Sequence, residues 1–128
     1  MDMQEISKTP DTTAQYDQAD IQNNKVMAVL SYFGILWLVP LLGAKNSKFA
    51  QFHANQGLVL CLFEIAYGII VQVINAIVGG IPVVGLIVGL ALSLLYLVWL
   101  VLAILGIVNA CQGKAKELPI IGSIRIVK

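Results

Sequence analysis

The sequence predicts an all-α membrane protein, with three transmembrane helices in an antiparallel up-down-up bundle followed by an interfacial C-terminal segment. Charged residues make up 12% of the chain and apolar ones 59%, with a mean hydropathy of +0.86, whereas soluble domains carry roughly 25% charge. Between Glu64 and Lys114 lie forty-nine consecutive residues, 65 to 113, without an Asp, Glu, Lys or Arg. Apolar runs of membrane-crossing length are separated by polar or Gly/Pro intervals, which is the pattern of a multi-pass protein.

Residues 1 to 24 hold Asp2, Glu5, Asp11, Asp17 and Asp20 against one Lys, with few large apolar side chains, a composition that predicts a disordered acidic tail. This opening is no cleavable signal peptide, because no apolar stretch follows a basic start. Residues 25 to 113 form the predicted transmembrane domain. Its first run, Val26 to Gly43, has eighteen uncharged residues, about 27 Å of helix against a hydrocarbon core of about 30 Å. A polar interval, Ala44 to Gln56, separates it from a second run of twenty-two residues, Gly57 to Val78. Gly79, Gly80 and Pro82 then break the helix, since Pro removes a backbone donor and paired Gly has low helix propensity. A third run, Gly85 to Cys111, is twenty-seven residues long, enough to tilt or protrude. Gly113 reads as its stop. Residues 114 to 128 mix Leu118, Ile120, Ile121, Ile124 and Ile126 with Lys116, Arg125 and Lys128, an amphipathic tail expected along the headgroup surface. Tyr32, Trp37, Tyr96 and Trp99 mark either interfaces or helix contacts.

With three spans, the 44 to 56 interval and the C terminus share a side carrying six of the eight Lys and Arg. The positive-inside rule then places the C terminus in the cytoplasm and the acidic N terminus outside. The net charge of +1 supplies no basic surface for nucleic acid.

Glu64 stands out because an ionisable group inside an apolar span is costly. At 100° per residue, positions 53, 57, 64, 68 and 75 fall within about 60° of one another. A continuous helix would align His53, Glu64 and Asn75 on one stripe, bordered by Gln72. This is either a polar track for protons, ions or peptide, or a set of interhelical hydrogen bonds, and the second is favoured. His53 has no further ligand at metal spacing and Ser31 and Ser93 have no base beside them, so no metal, cofactor or catalytic residue is expected. Cys61 and Cys111 read as free thiols. Gly85, Gly89 and Ser93 recur every fourth residue, a candidate face for close helix packing.

Three segments, LSYFGILWLVPLL (30 to 42), FAQFHANQGLVL (49 to 60) and GIVNACQGKAKELPIIGSI (106 to 124), resemble a family of small bacterial membrane proteins of unknown function. That family is distantly similar to the channel-like component of the chloroplast inner-envelope protein-import (Tic-type) apparatus. The resemblance implies a bacterial cytoplasmic membrane and marks His53, Gln56, Gly57, Asn109, Gly113 and Pro119 as family positions. The reading is therefore a non-enzymatic membrane subunit, structural or transport-related, working in the lipid bilayer as a homo-oligomer or with other membrane subunits. A proton- or ion-coupled transporter centred on Glu64 is the alternative, and a regulatory or immunity-type protein binding a cationic peptide is a weaker one.

Overall fold

The computed structural model describes residues 10–126, and they are helical throughout apart from turns and one isolated bridge between Asp11 and Lys116. A 3-10 turn at Thr13–Gln15 leads into α1 (Gln18–Asn23), α2 (Lys25–Leu30), α3 (Leu38–Gly43), α4 (Lys48–Val78) and α5 (Pro82–Cys111). Among the described residues, only α4 and α5 are helices long and apolar enough to cross a membrane.

The expected first span is thus corrected. Residues 26 to 43 do not form one helix, although their hydropathy permits it. After Leu30 the chain tightens into i→i−3 bonds at the amides of Ser31, Tyr32, Phe33, Leu36, Leu38 and Val39. Ser31 Oγ bonds back to Met27 O at 3.3 Å, a local alternative that weakens helix continuation. Gly34 turns the chain at φ +59, a conformation open mainly to Gly, and Pro40 is accommodated in the first turn of α3, where its missing N–H is not needed. The run becomes a broken helical hairpin packed on α4 and α5.

This folding depends on two close approaches. A Cβ at Gly57 would collide with the Ser31 carbonyl, and one at Gly106 with the Tyr32 ring. Glycine at both positions lets the tip of the broken hairpin seat between the long helices.

The polar interval 44 to 56 is corrected as well, because α4 begins at Lys48 and not at Gly57. Ser47 is its N-cap and accepts from Ala50 N at 3.0 Å, as short hydroxyl residues do. At 31 residues α4 is about 46 Å long, well beyond the hydrocarbon thickness. Its first part, Phe49 to Leu60, is mostly buried in protein, whereas from Leu62 to Ile77 large apolar side chains lie open. In α5 only Leu102, Gly106 and Ala110 are buried, all near its C-terminal end. Pro82 starts α5 at N1, three residues before the expected Gly85, a position where its fixed φ suits the helix. Between the exposed halves, Phe63 stacks on Trp99 and Tyr67 meets Tyr96 edge-on, while Tyr67 Oη donates to Leu92 O at 2.6 Å. Tyr96 and Trp99 are therefore helix contacts.

The other end is a closed cap. Its core joins Ile21, Ala28, Tyr32, Phe49, Phe52, Leu118 and Ile121. The acidic tail expected to be disordered is folded from residue 10 onward, and residues 1–9 lie outside the described part. Thr12 N and Oγ1 both reach Ala115 O, Ala115 N donates to Thr13 Oγ1 and Glu117 N to Pro10 O, all at 3.0–3.1 Å. Asp17 caps α1, Ile21 is buried, and Tyr16 meets Phe49 and Phe52 edge-on. These bonds put residues 10 to 13 and 115 to 117 side by side, whereas the expected topology set the two tails on opposite faces. Through residue 126 the C-terminal tail is not a loose interfacial segment either. Ala115, Leu118 and Ile121 are buried and the segment straps across α4.

Candidate functional site

The cap converges on the buried start of α4, where His53, Asn55 and Gln56 are each 1% exposed or less. Three buried polar side chains on an otherwise apolar face are costly unless every donor and acceptor is met. Each is met by a segment distant in sequence.

His53 Nε2 lies 2.8 Å from Lys114 O, and Nδ1 lies 2.6 Å from Tyr32 Oη. A carbonyl only accepts, so the pattern assigns the ring proton to Nε2, and Nδ1 accepts from the Tyr32 hydroxyl. The imidazole thus joins the broken hairpin, α4 and the strap, with Phe49 and Phe52 edge-on at centroid distances of 4.9 and 5.1 Å. Both nitrogens are committed to protein partners, and the described residues contain no group of three His, Cys, Asp or Glu that could hold a metal ion.

Gln56 and Asn55 act as surrogate peptide groups. Gln56 Oε1 accepts from Leu118 N at 2.9 Å while Nε2 donates to Gly122 O at 3.0 Å. Asn55 uses its carboxamide the same way further along the strap, accepting from Ile126 N at 2.7 Å and donating to Ile124 O at 2.9 Å. Two adjacent carboxamides thereby hold the strap beyond its bridge to Asp11.

The geometry that delivers the strap is local. Lys114 N bonds Asn109 O at 2.8 Å, Gly113 N bonds Ala110 O at 3.1 Å, and Gly113 has φ +70, a Schellman stop that needs Gly at this position. Of the family positions, Asn109 thus contributes its carbonyl and Gly113 its φ. Pro119 is buried, its carbonyl accepting from Ile121 N at 2.8 Å across Ile120 at φ +71. That is a strained turn for a β-branched residue, and it leaves the Ile120 side chain 85% exposed.

The proposed polar track is not brought together. His53 is closed off by Tyr32 and Lys114. Glu64, half-buried, lines the seam where Ser31, Tyr32 and Gly34 meet Gly57, Leu60 and Cys61, about 16 Å of helix rise away. Gln72 and Asn75 are exposed on the apolar half. The small-residue ridge splits too. A Cβ on Gly85 would meet the carbonyls of Val78 and Gly79 at 2.8 and 2.9 Å, whereas Gly89 faces open space and the exposed Ser93 bonds back to Gly89 O. Gly89 and Ser93 line an open groove with Asn75.

Sequence reasoning missed Tyr32, Asn55 and Asp20. The Asp20 carboxylate accepts from Ser47 Oγ, from Phe49 N at 3.0 Å and from Asn24 Nδ2 at 2.9 Å. It caps α4 from a distance and places negative charge at that helix's N-terminus. The signal available was the polar cluster His53, Asn55 and Gln56 a turn and a half after a Ser suited to cap a helix.

Residues 23–127 match the magnetosome magnetite crystal formation protein family. The chain belongs to that family. The match spans the broken hairpin, both long helices and most of the strap, and it leaves out the 3-10 turn and nearly all of α1, Asp20 included. Among curated proteins, the magnetosome protein MmsF of Paramagnetospirillum magneticum is 33% identical over 98 residues, 75% of this chain and 79% of that protein. The magnetosome protein MamF of the same organism is 30% identical over 99 residues, 76% and 78% of the two chains. A shorter match, 50% over 40 residues, is to MamF of Magnetospirillum gryphiswaldense and covers 31% of this chain and 36% of that one. No solved structure matches. The small bacterial membrane family suggested by the sequence is thereby specified, and none of these matches carries the more distant likeness to the chloroplast import component.

Proposed function

We propose that this protein is a non-enzymatic structural component of a magnetite-forming membrane, inserted as a two-span hairpin and working with further copies or other membrane subunits. The observation that carries this is the division of the chain into an apolar hairpin open on nearly all sides and a hydrogen-bonded cap at one end. All eight Lys and Arg precede residue 49 or follow residue 113, at the cap end of a two-span chain, so the positive-inside rule puts the cap in the cytoplasm. Among the described residues, only the turn from Gly79 to Ile81 would reach the far face, and it has no charged side chain. A protein so placed influences a crystal on that face through the membrane and its neighbours, not through an acidic mineral-binding surface. The membrane is a bacterial cytoplasmic membrane or one continuous with it.

The proton- or ion-transport alternative rests on Glu64 alone, because Gln72 and Asn75 lie outside any common path with His53. The peptide-binding alternative loses its external tail, since Asp20 is engaged within the cap.

The test is a topology map. In a chain with Cys61 and Cys111 replaced by Ser, Gly80→Cys has open space for its side chain. It is expected to react with a membrane-impermeant maleimide from outside intact cells, while cysteines at residue 14 and residue 123 react only after permeabilisation. External labelling at residue 14 would defeat the hairpin.

A further inference from the structure

The cap holds one sizeable cavity, about 620 Å³, between the start of α4, the 3-10 turn and the end of the strap. Lys45, Lys48 and Arg125 line it together with Tyr16, Gln51 and Phe52, and no carboxylate does. Cations gathered at one cavity favour an anion there, the more so where they have no ion pair of their own.

Their partners sharpen this. Arg125 is fixed, with Nη1 donating to Gly122 O at 2.7 Å, Nη2 to Glu117 Oε1 at 2.7 Å, and the guanidinium 5.2 Å from the Phe52 ring centroid. Lys45 and Lys48 have no ion pair or side-chain hydrogen bond among the described residues. The nearby Asp20 carboxylate is already taken by Ser47, Phe49 N and Asn24. Two uncommitted ammonium groups therefore face a rigid third cation across a space larger than a carboxylate needs.

The rim is apolar. Leu42, three residues before Lys45, is 63% exposed, and Ile124 and Ile126, flanking Arg125, are 38% and 49% exposed. Cations beside exposed aliphatic side chains suit the headgroup depth of a bilayer.

We propose that this cavity is a phosphate-binding site filled by the headgroup of an anionic phospholipid from the leaflet the cap faces. Lys45 and Lys48 bind the phosphate oxygens, and Arg125 supplies the fixed wall. The proposal rests on the hairpin reading, which the topology map tests by itself, so correct topology with absent lipid and bound lipid with wrong topology are separate outcomes.

The experiment uses the full chain in nanodiscs of phosphatidylcholine alone or with one quarter phosphatidylglycerol or cardiolipin, read by native mass spectrometry for retained lipid. Wild type is expected to retain anionic lipid. Lys45→Gln/Lys48→Gln should weaken retention roughly 10- to 30-fold, the factor two near-surface lysines contribute, while Lys114→Gln/Lys116→Gln, at the same end but outside the cavity, should retain it. Equal losses in the two double variants would mean diffuse surface attraction and overturn the site. A parallel arm adds inorganic phosphate to the protein in neutral detergent. Stabilisation there as large as that given by the lipids would overturn the lipid as occupant. Thermal unfolding of both double variants in phosphatidylcholine alone, unchanged from wild type, confirms that the fold is intact.

Discussion

Replacing Gln56 by Leu tests the strap reading most directly. The two side chains are similar in size, so the change removes the carboxamide without opening a large cavity. Leu118 N and Gly122 O then lose their partners at a site where Gln56 is 1% exposed. Each buried group left unmet costs about 1–3 kcal/mol, so the pair costs about 2–6 kcal/mol while the strap stays docked. The strap has another course, which is to peel off and let water satisfy both groups, so the observed penalty is capped by the free energy holding residues 114–126 down. Even the lower figure of about 2 kcal/mol raises the open population roughly 30-fold. The assay is amide hydrogen exchange in nanodiscs at Leu118 and Ile126, with Gln72→Leu on the exposed half as the control. Both amides should exchange at least tenfold faster in Gln56→Leu and at the wild-type rate in the control. Exchange within twofold of wild type at both amides would refute the view that the carboxamides hold the strap.

Gly57→Ala puts a methyl group into the Ser31 backbone and should cost about 3 kcal/mol, read as a lower unfolding temperature in detergent, whereas Gly89→Ala, facing open space, should change little. Gly106→Ala should act through Tyr32, displacing its ring and breaking the His53 bond, which a change in the His53 ring nitrogen shifts would report by NMR. Asp20→Ala removes the remote cap of α4 and should cost about 1–2 kcal/mol, with faster exchange confined to the first turn of that helix. In the Asp11 to Lys116 bridge, hydrogen bonds from the Thr13 side chain and then its backbone hold the Asp11 carboxyl below its ordinary value. Because the folded form favours the carboxylate, that contribution is complete above about pH 4 and is lost as pH falls through the lowered folded value. Thr13→Ala should raise the Asp11 titration midpoint, followed through its carboxyl carbon shift.

Several features were legible in the residues alone. Helical class and membrane character follow from composition and from the stretch 65 to 113, because no charged side chain there needs water. The Gly79 to Pro82 break, the Gly113 stop and the free Cys61 and Cys111 are local properties, and local chemistry decides them. Glu64, Gln72 and Asn75 were recognisable as polar groups at one helical phase, but phase on a single helix does not say what lies opposite. Tyr67, which donates to Leu92 O, gave no signal in the sequence.

Tertiary structure decided that the first apolar run is a broken hairpin, and it chose the partners of the buried polar residues. Hydropathy sums side-chain transfer free energies, and Val26 to Gly43 has the same sum as one straight helix or as a hairpin folded back on its neighbours. What separates the two is the close approach of Ser31 to Gly57 and of Tyr32 to Gly106, which depends on residues up to seventy-four positions away. The same holds for His53, Asn55 and Gln56, whose partners lie 61 to 71 residues further along the chain. A sequence names the donors and acceptors that burial obliges to pair, and only the folded chain, by bringing Lys114 to Ile126 across α4, determines with which.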